Sequence, residues 1–330
     1  MNKDKSISSI RFLATMMVVI LHIFQQLERL NPYVHILTDW LNLGLVLFFC
    51  MSGYLYSNRT ISHGGWMLHR YKEIVIPSII TVIATLVVYS LCIEVPSVRI
   101  IVYSLLSGLG AEAFVPDGWM FIQLWFLTYI LVCYLSVPFI QKIQVRDMSE
   151  LRFWGMLSVA TVVLQSVTML IKVVAPVPTL SCGVLLRFYL TYFVYRRYTS
   201  CNERKKVYRW MTVFSACLFP IVCFVRYILC PDGTLGVIAE LLFIYTQTIM
   251  GTVFFYYLYE FFRKHPIHDR LIKVSDKYSY AVYLTHCLFI GYETSLIFKC
   301  PNIVLGILAA LLATAVASIC LMAITKKLKK

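Results

Sequence analysis

Ten stretches of this 330-residue chain are apolar over a length that can cross a lipid bilayer. A hydrocarbon core of about 30 Å takes roughly 20 helical residues to span. Inside it, backbone polar groups must pair within the segment, which favours α-helices. The predicted spans are 10–27, 40–57, 74–93, 119–140, 153–174, 180–197, 211–230, 237–259, 279–298 and 303–324. The sequence therefore predicts an all-α integral membrane bundle of about ten transmembrane helices.

Composition leaves little material for a soluble domain. Hydrophobic residues make up 60% of the chain and charged residues only 14%, whereas soluble domains carry about 25% charged residues. No flexible linker or repeat divides the chain, so we predict a single membrane-embedded domain over residues 1–330. The apolar stretch 98–107 is too short to span, and we expect it to lie at the interface or to re-enter the membrane.

Lysine and arginine predict the orientation of the bundle. With a cytoplasmic N-terminus, 24 of the 30 basic residues fall in cytoplasmic segments, and only Arg29, Arg99 and Lys299 fall in outer loops. Cytoplasmic loops of membrane proteins are enriched in Lys and Arg. We therefore expect the bundle in the plasma or inner membrane, with both termini in the cytoplasm. This pattern accounts for the net charge of +14. We expect the lipid bilayer, and no nucleic acid, as a partner.

The 11 cysteines form no CxxC pair, and most lie inside predicted spans. A buried cysteine usually behaves as a small hydrophobic residue. The sequence therefore predicts no metal site and no disulfide framework, although Cys230 and Cys300 both fall near outer loops.

The first predicted span carries two ionisable residues on one face. Arg11 and His22 are eleven residues apart, which is close to three helical turns and a rise of roughly 16 Å. Ionisable groups within spans are costly and are functional candidates by default. The alternatives are an interfacial anchor for Arg11 and a structural hydrogen bond for His22.

Four further charged or titratable positions stand out in later spans. His286 and Glu293 are seven residues apart, nearly on one face of the ninth span, and Glu240 lies in the outer part of the eighth. Either carboxylate could instead be solvated at the outer mouth. Arg187 lies mid-span in the sixth and needs an anionic partner or ligand.

Five motifs in order resemble the acyltransferase 3 family of membrane proteins. They are residues 10–14 (IRFLA) with His22, 47–55 (LFFCMSGYL), the basic segment 70–77 ending in Ile-x-Pro at the start of the third helix, 125–127 (WFL), and 278–286 (YSYAVYLTH). The resemblance covers essentially the whole chain.

The resemblance implies a membrane O-acyltransferase. Such enzymes move an acyl group, commonly acetyl, from cytoplasmic acetyl-CoA or another acyl-CoA to a hydroxyl of a surface glycan or exported glycoside. Arg11 and His22 match the family's expected functional pair. The family often has two arginines three residues apart in the first cytoplasmic loop. Here Arg70 is followed by Glu73, so Lys72 must substitute or Arg70 must contact the donor phosphates alone. Any esterase-like partner enzyme would be a separate extracytoplasmic protein.

Acyl transfer to an alcohol needs a base for the hydroxyl proton, and His22 is the candidate because imidazole titrates near neutral pH. His286 could receive or orient the thioester, while Glu240, Glu293 or Asp39 could fix the tautomer of His22. The opposing hypothesis is a small-solute transporter or sensor with the same fold. A transporter would neither consume acyl-CoA nor leave an ester.

Overall fold

The computed structural model describes residues 4–27, 38, 41–61, 65–115, 121–174, 181–224, 236–291 and 295–328. Within those ranges the regular elements are all helical. The α-helices are α1 (Lys5–Leu27), α2 (Leu43–Ser57), α3 (Gly65–Cys92), α4 (Val98–Leu106), α5 (Trp125–Ile140), α6 (Glu150–Val174), α7 (Leu185–Arg197), α8 (Cys201–Phe224), α9 (Gly236–Lys264), α10 (Asp269–Ile290) and α11 (Ile303–Leu328).

Each predicted span overlaps one of these helices, and α4 covers the short apolar stretch. Four described segments are long and apolar enough to cross a membrane by themselves, namely Lys5–Leu27, Gly65–Leu91, Glu150–Ile171 and Ile303–Leu328. Helices α2 and α5 are apolar but shorter. The all-helical membrane architecture is confirmed, and the count of ten spans stays a prediction.

Three helices begin well before their predicted spans. The helices α3, α8 and α10 start at Gly65, Cys201 and Asp269, because their first turns carry the charged residues that the apolar criterion leaves out. Consequently, Pro77 lies inside α3, and the prediction that its motif starts the third helix is wrong. The predicted end of the ninth span is also wrong, since α10 stops at Ile290 and Gly291 is extended.

The chain after α3 turns back along it. A Cβ on Gly108 would lie 3.0 Å from the Ile79 side chain, and the Tyr71 hydroxyl donates to the Leu109 carbonyl at 3.3 Å. These contacts place the end of α4 beside the middle of α3. The direction then reverses at Gly110, whose φ of 88° is a left-handed conformation that suits glycine. Re-entry is therefore the alternative that the packing favours for residues 98–107.

Helix α2 runs through the centre of the bundle, where its apolar side chains are buried. Gly53 brings α2 against α7, because a Cβ there would lie 2.5 Å from the Phe188 carbonyl oxygen. Its neighbour Ser52 pairs with the Tyr134 hydroxyl at 3.2 Å, and the hydroxyls of Tyr54 and Tyr259 are 2.9 Å apart. The Ser-Gly-Tyr motif is thus a packing element that joins α2 to three other helices.

Helices α1 and α10 pack in parallel. Near their starts the Lys5 ammonium lies 2.9 Å from a carboxylate oxygen of Asp269. Further along, Ser8 donates to Asp276 at 2.9 Å. Because residue numbers rise together on both helices, their later turns also face each other, and this alignment builds the candidate site.

Candidate active site

Two histidines from distant parts of the sequence meet between α1 and α10. The ring centroids of His22 and His286 are 5.0 Å apart, with an angle of 44° between the ring planes. His286 is fully buried and His22 is partly buried. The structure therefore brings together the two histidines that the sequence analysis placed on separate spans.

Backbone packing fixes the tautomer of His286. Its Nδ1 lies 3.0 Å from the Val282 carbonyl oxygen, and a carbonyl can only accept. Nδ1 therefore carries the proton, and Nε2 presents its lone pair to the site. Nε2 is therefore the ring nitrogen that can accept a hydrogen bond.

That lone pair faces a thiol. The Cys287 sulfur lies 3.3 Å from His286 Nε2, and Cys287 is 2% exposed. One donor atom from each of His22, His286 and Cys287 lies within 4.8 Å of the others. Groups at this spacing can exchange protons or share a metal ion. The expectation of no metal stays a prediction.

An aromatic ring lies beside the pair, one helical turn before His286. The Tyr283 ring lies 6.0 Å from the His286 ring, one turn earlier on α10. Its hydroxyl donates to the backbone carbonyl of Gln123, in the short 3-10 helix Ile122–Leu124 that precedes α5. The segment Tyr283 to His286 therefore ties the candidate site to α5.

The same two helices hold an ion pair nearer their starts. Arg11 Nη1 lies 2.6 Å from Asp276 Oδ1, with side chains 30% and 5% exposed. Asp276 also accepts from Ser8. Arg11 was a predicted site residue. Its partner Asp276 could not be predicted from the sequence, because no local sequence pattern links two positions 265 residues apart. The ion pair holds the guanidinium against α10.

A charged cavity of about 750 Å³ opens beside this ion pair. Its lining residues are Lys5, Ser8, Asp269, Ile272, Lys273, Asp276 and Lys277. The two carboxylates are paired with Lys5 and Arg11, which leaves Lys273 and Lys277 as excess positive charge. The cavity can therefore receive an anionic group. Its lining residues lie 9 to 17 helical positions before the histidines, or roughly 14–26 Å along the helix axes.

The predicted donor-binding residues Arg70 and Lys72 lie elsewhere, on α3. Arg70 Nη1 is 2.6 Å from Glu73, which also contacts His69 at 3.2 Å. Lys72 is exposed. Neither is among the described residues that line the charged cavity. Glu73 thus neutralises Arg70 in this conformation.

The predicted carboxylate partners of His22 stay predictions, because none of the three side chains is described. Glu293 and Asp39 lie outside the described residues, and only the backbone of Glu240 is described, on α9. The expectation that Glu293 shares a helical face with His286 stays a prediction, because Glu293 lies outside the described residues.

A buried carboxylate that the sequence analysis missed lies just after the reversal at Gly110. Glu112 has no exposed surface and opens the 3-10 turn Glu112–Phe114. The next residue, Ala113, donates its N–H to Thr128 on α5 at 3.2 Å. The signal was available in the sequence, since an acidic residue inside the gap between two apolar spans can be drawn into a re-entrant segment.

The buried guanidinium of Arg187, on α7, has a hydrogen-bond partner for one of its nitrogens. Arg187 is 4% exposed, and its Nη2 donates to Gln247 on α9 at 2.6 Å. Its Nε has no hydrogen-bond partner among the described groups. Among the described residues an amide oxygen takes the place of the expected anionic partner, and the alternative of an anionic ligand stays a prediction.

Comparison with known proteins agrees with the sequence motifs. The family model of acyltransferase 3, described as an acyltransferase domain, matches residues 4–323, nearly the whole chain. The searches of the curated proteins and of the solved structures gave no match. The chain is therefore an enzyme that transfers acyl groups other than amino-acyl groups. It belongs to the acyltransferase 3 family of membrane acyltransferases.

Proposed function

We propose that this enzyme is an O-acyltransferase, specifically an O-acetyltransferase, of extracytoplasmic glycans or glycosides. The donor is cytoplasmic acetyl-CoA or another acyl-CoA, and the acceptor is a hydroxyl on a surface glycan or exported glycoside. One observation carries the proposal. The parallel helices α1 and α10 hold a positively charged cavity near their starts and a histidine pair roughly 14–26 Å further along.

The proposal includes ten membrane spans, with both termini in the cytoplasm of the plasma or inner membrane. The parallel packing of α1 and α10 supports it, because the first and ninth spans must cross in the same direction. Reporter fusions test the topology. A fluorescent protein after residue 328 and one inserted at 265–268 should both report the cytoplasm, and an extracytoplasmic signal from either contradicts the assignment.

The donor is anchored by cations at the charged cavity. Lys273 and Lys277 attract the phosphates of acyl-CoA, while Arg11, held by Asp276, can offer its remaining N–H groups to a phosphate oxygen. Arg70 and Lys72 are a second, weaker candidate, because Arg70 must leave Glu73 first. The thioester arm then extends along α1 and α10 toward the histidines.

The histidines supply the proton transfers. His22, on α1, takes the proton of the acceptor hydroxyl as general base. His286 orients the thioester, and the proton that His22 takes passes to the CoA thiolate as it leaves. Burial of the pair excludes water that would otherwise hydrolyse the acyl group.

The acetate content of surface glycans tests the proposal. Base-labile acetate is measured in cells with the wild-type chain, without it, with His22→Ala, and with His265→Ala, an exposed histidine after α9. The deletion and His22→Ala should both lose acetate at matched membrane abundance, and His265→Ala should keep it. Unchanged acetate in the deletion refutes the glycan acceptor and favours another acceptor or solute transport. Loss in the deletion alone refutes His22 as base.

A further inference from the structure

Cys287 lies beside the two histidines of the candidate site. Its sulfur is 3.3 Å from His286 Nε2, and the proton on His286 Nδ1 is committed to the Val282 carbonyl. A thiol hydrogen-bonded to an imidazole that is itself oriented by a third group is the arrangement of an activated cysteine nucleophile. We propose that Cys287 forms a thioester intermediate during acyl transfer, an inference that rests on the proposed function.

The geometry of the other cysteines sets Cys287 apart. Cys133 is equally buried but has no ring nitrogen near its sulfur among the described contacts. The sulfur of Cys50 lies 3.8 Å from the Thr252 hydroxyl. Only at Cys287 do two histidines converge on a thiol in the described structure, with donor atoms within 4.8 Å.

The first half-reaction moves the acyl group from one sulfur to another. The Cys287 sulfur attacks the thioester carbonyl as its proton passes to His286 Nε2. The tetrahedral intermediate collapses, the C–S bond to CoA breaks, and the CoA thiolate takes the proton from His286. One thioester and one thiol are consumed, and one of each is formed.

The second half-reaction forms the ester. His22 takes the proton of the acceptor hydroxyl, the oxygen attacks the Cys287 thioester, and the C–S bond breaks. The released thiolate recovers the proton, so the products are an oxygen ester and the free thiol. Donor and acceptor approach from opposite sides of the membrane. With a thioester intermediate, each can react in turn with the Cys287 sulfur.

Single-turnover labelling tests the inference. Purified protein in lipid nanodiscs is incubated with radiolabelled acetyl-CoA without acceptor, quenched in acid and denatured. Wild type and the matched control Cys133→Ala should retain label that neutral hydroxylamine releases, and mass spectrometry should locate the acetyl group on Cys287. Cys287→Ala should lose the label and more than about a hundredfold in kcat.

Cys287→Ser keeps the test decisive if the alanine variant fails to fold. A serine oxygen ester resists neutral hydroxylamine, so Cys287→Ser should either trap a resistant label or take up none, with turnover lost. Turnover by Cys287→Ala or Cys287→Ser at the wild-type rate overturns the covalent role and leaves the proposed function intact. A wild type that consumes no acetyl-CoA counts against both.

A metal role makes a different prediction. Stoichiometric zinc in the purified wild type, together with loss of turnover on chelation and no label on Cys287, would overturn the thioester in favour of a metal bound by the same three side chains.

Discussion

Replacing Gly53 with alanine should separate the two most central helices. An added Cβ would lie 2.5 Å from the Phe188 carbonyl oxygen and 3.1 Å from the Tyr192 backbone nitrogen. Ordinary contact begins at 3.4 Å, so α2 and α7 must move apart by about 0.9 Å. The obstacle is backbone and cannot rotate away. Overpacking of this kind costs about 1–3 kcal/mol, and we expect the upper end.

The assay is thermal unfolding of the purified protein in detergent, with Gly155→Ala as the matched control. Gly155 lies on α6 and has no atom within 4 Å of an added Cβ. About 3 kcal/mol should lower the Tm of Gly53→Ala by roughly 4 °C. Gly155→Ala should be neutral or stabilising by up to about 1 kcal/mol, because alanine favours a helix. Equal Tm values for the two variants would refute the close α2–α7 packing.

Three further changes have defined outcomes. Asp276→Ala should lower the free energy of unfolding by about 2 kcal/mol. The loss is smaller than for a fully buried ion pair because Arg11 is partly exposed. A denaturant titration that shows no loss of stability would contradict the ion pair. Gln247→Glu should raise Tm, since it places a carboxylate where an amide oxygen lies 2.6 Å from the buried Arg187 guanidinium; a lower Tm would mean that desolvation outweighs the attraction. Glu112→Gln should leave Tm unchanged or higher and should reduce acyl transfer at least about tenfold. The reason is that buried intramembrane carboxylates are retained for function. Full activity in this variant would exclude a functional role for Glu112.

The positions of the helices followed from the sequence because hydrophobicity is a local property. Each apolar run became a helix, and Arg11 and His22 share a stripe because helical spacing alone decides it. Helix ends were less predictable. Apolar length did not reveal that α10 starts at the polar Asp269 and stops before Gly291.

Pairing between helices could not be predicted in this way. Which face of α10 meets α1 depends on how all the helices pack, so Asp276 and the meeting of His22 with His286 emerge only from the fold. Cys287 was classed with the other buried cysteines because its sequence position says nothing about the neighbouring ring nitrogen. The sequence also left open whether residues 98–107 lie at the interface or re-enter the membrane. The burial of Glu112, just after the reversal at Gly110, could therefore not be predicted.

The central claim is that the histidine pair between α1 and α10 performs acyl transfer. The most direct test is acetyl-CoA consumption by the purified enzyme in proteoliposomes with a glycan acceptor, comparing wild type, His22→Ala, His286→Ala and the exposed control His265→Ala. Wild type and His265→Ala should release CoA and form glycan ester together, and both other variants should lose more than about a hundredfold of this activity. Wild-type rates in either His22→Ala or His286→Ala, with the protein folded, would contradict the central claim.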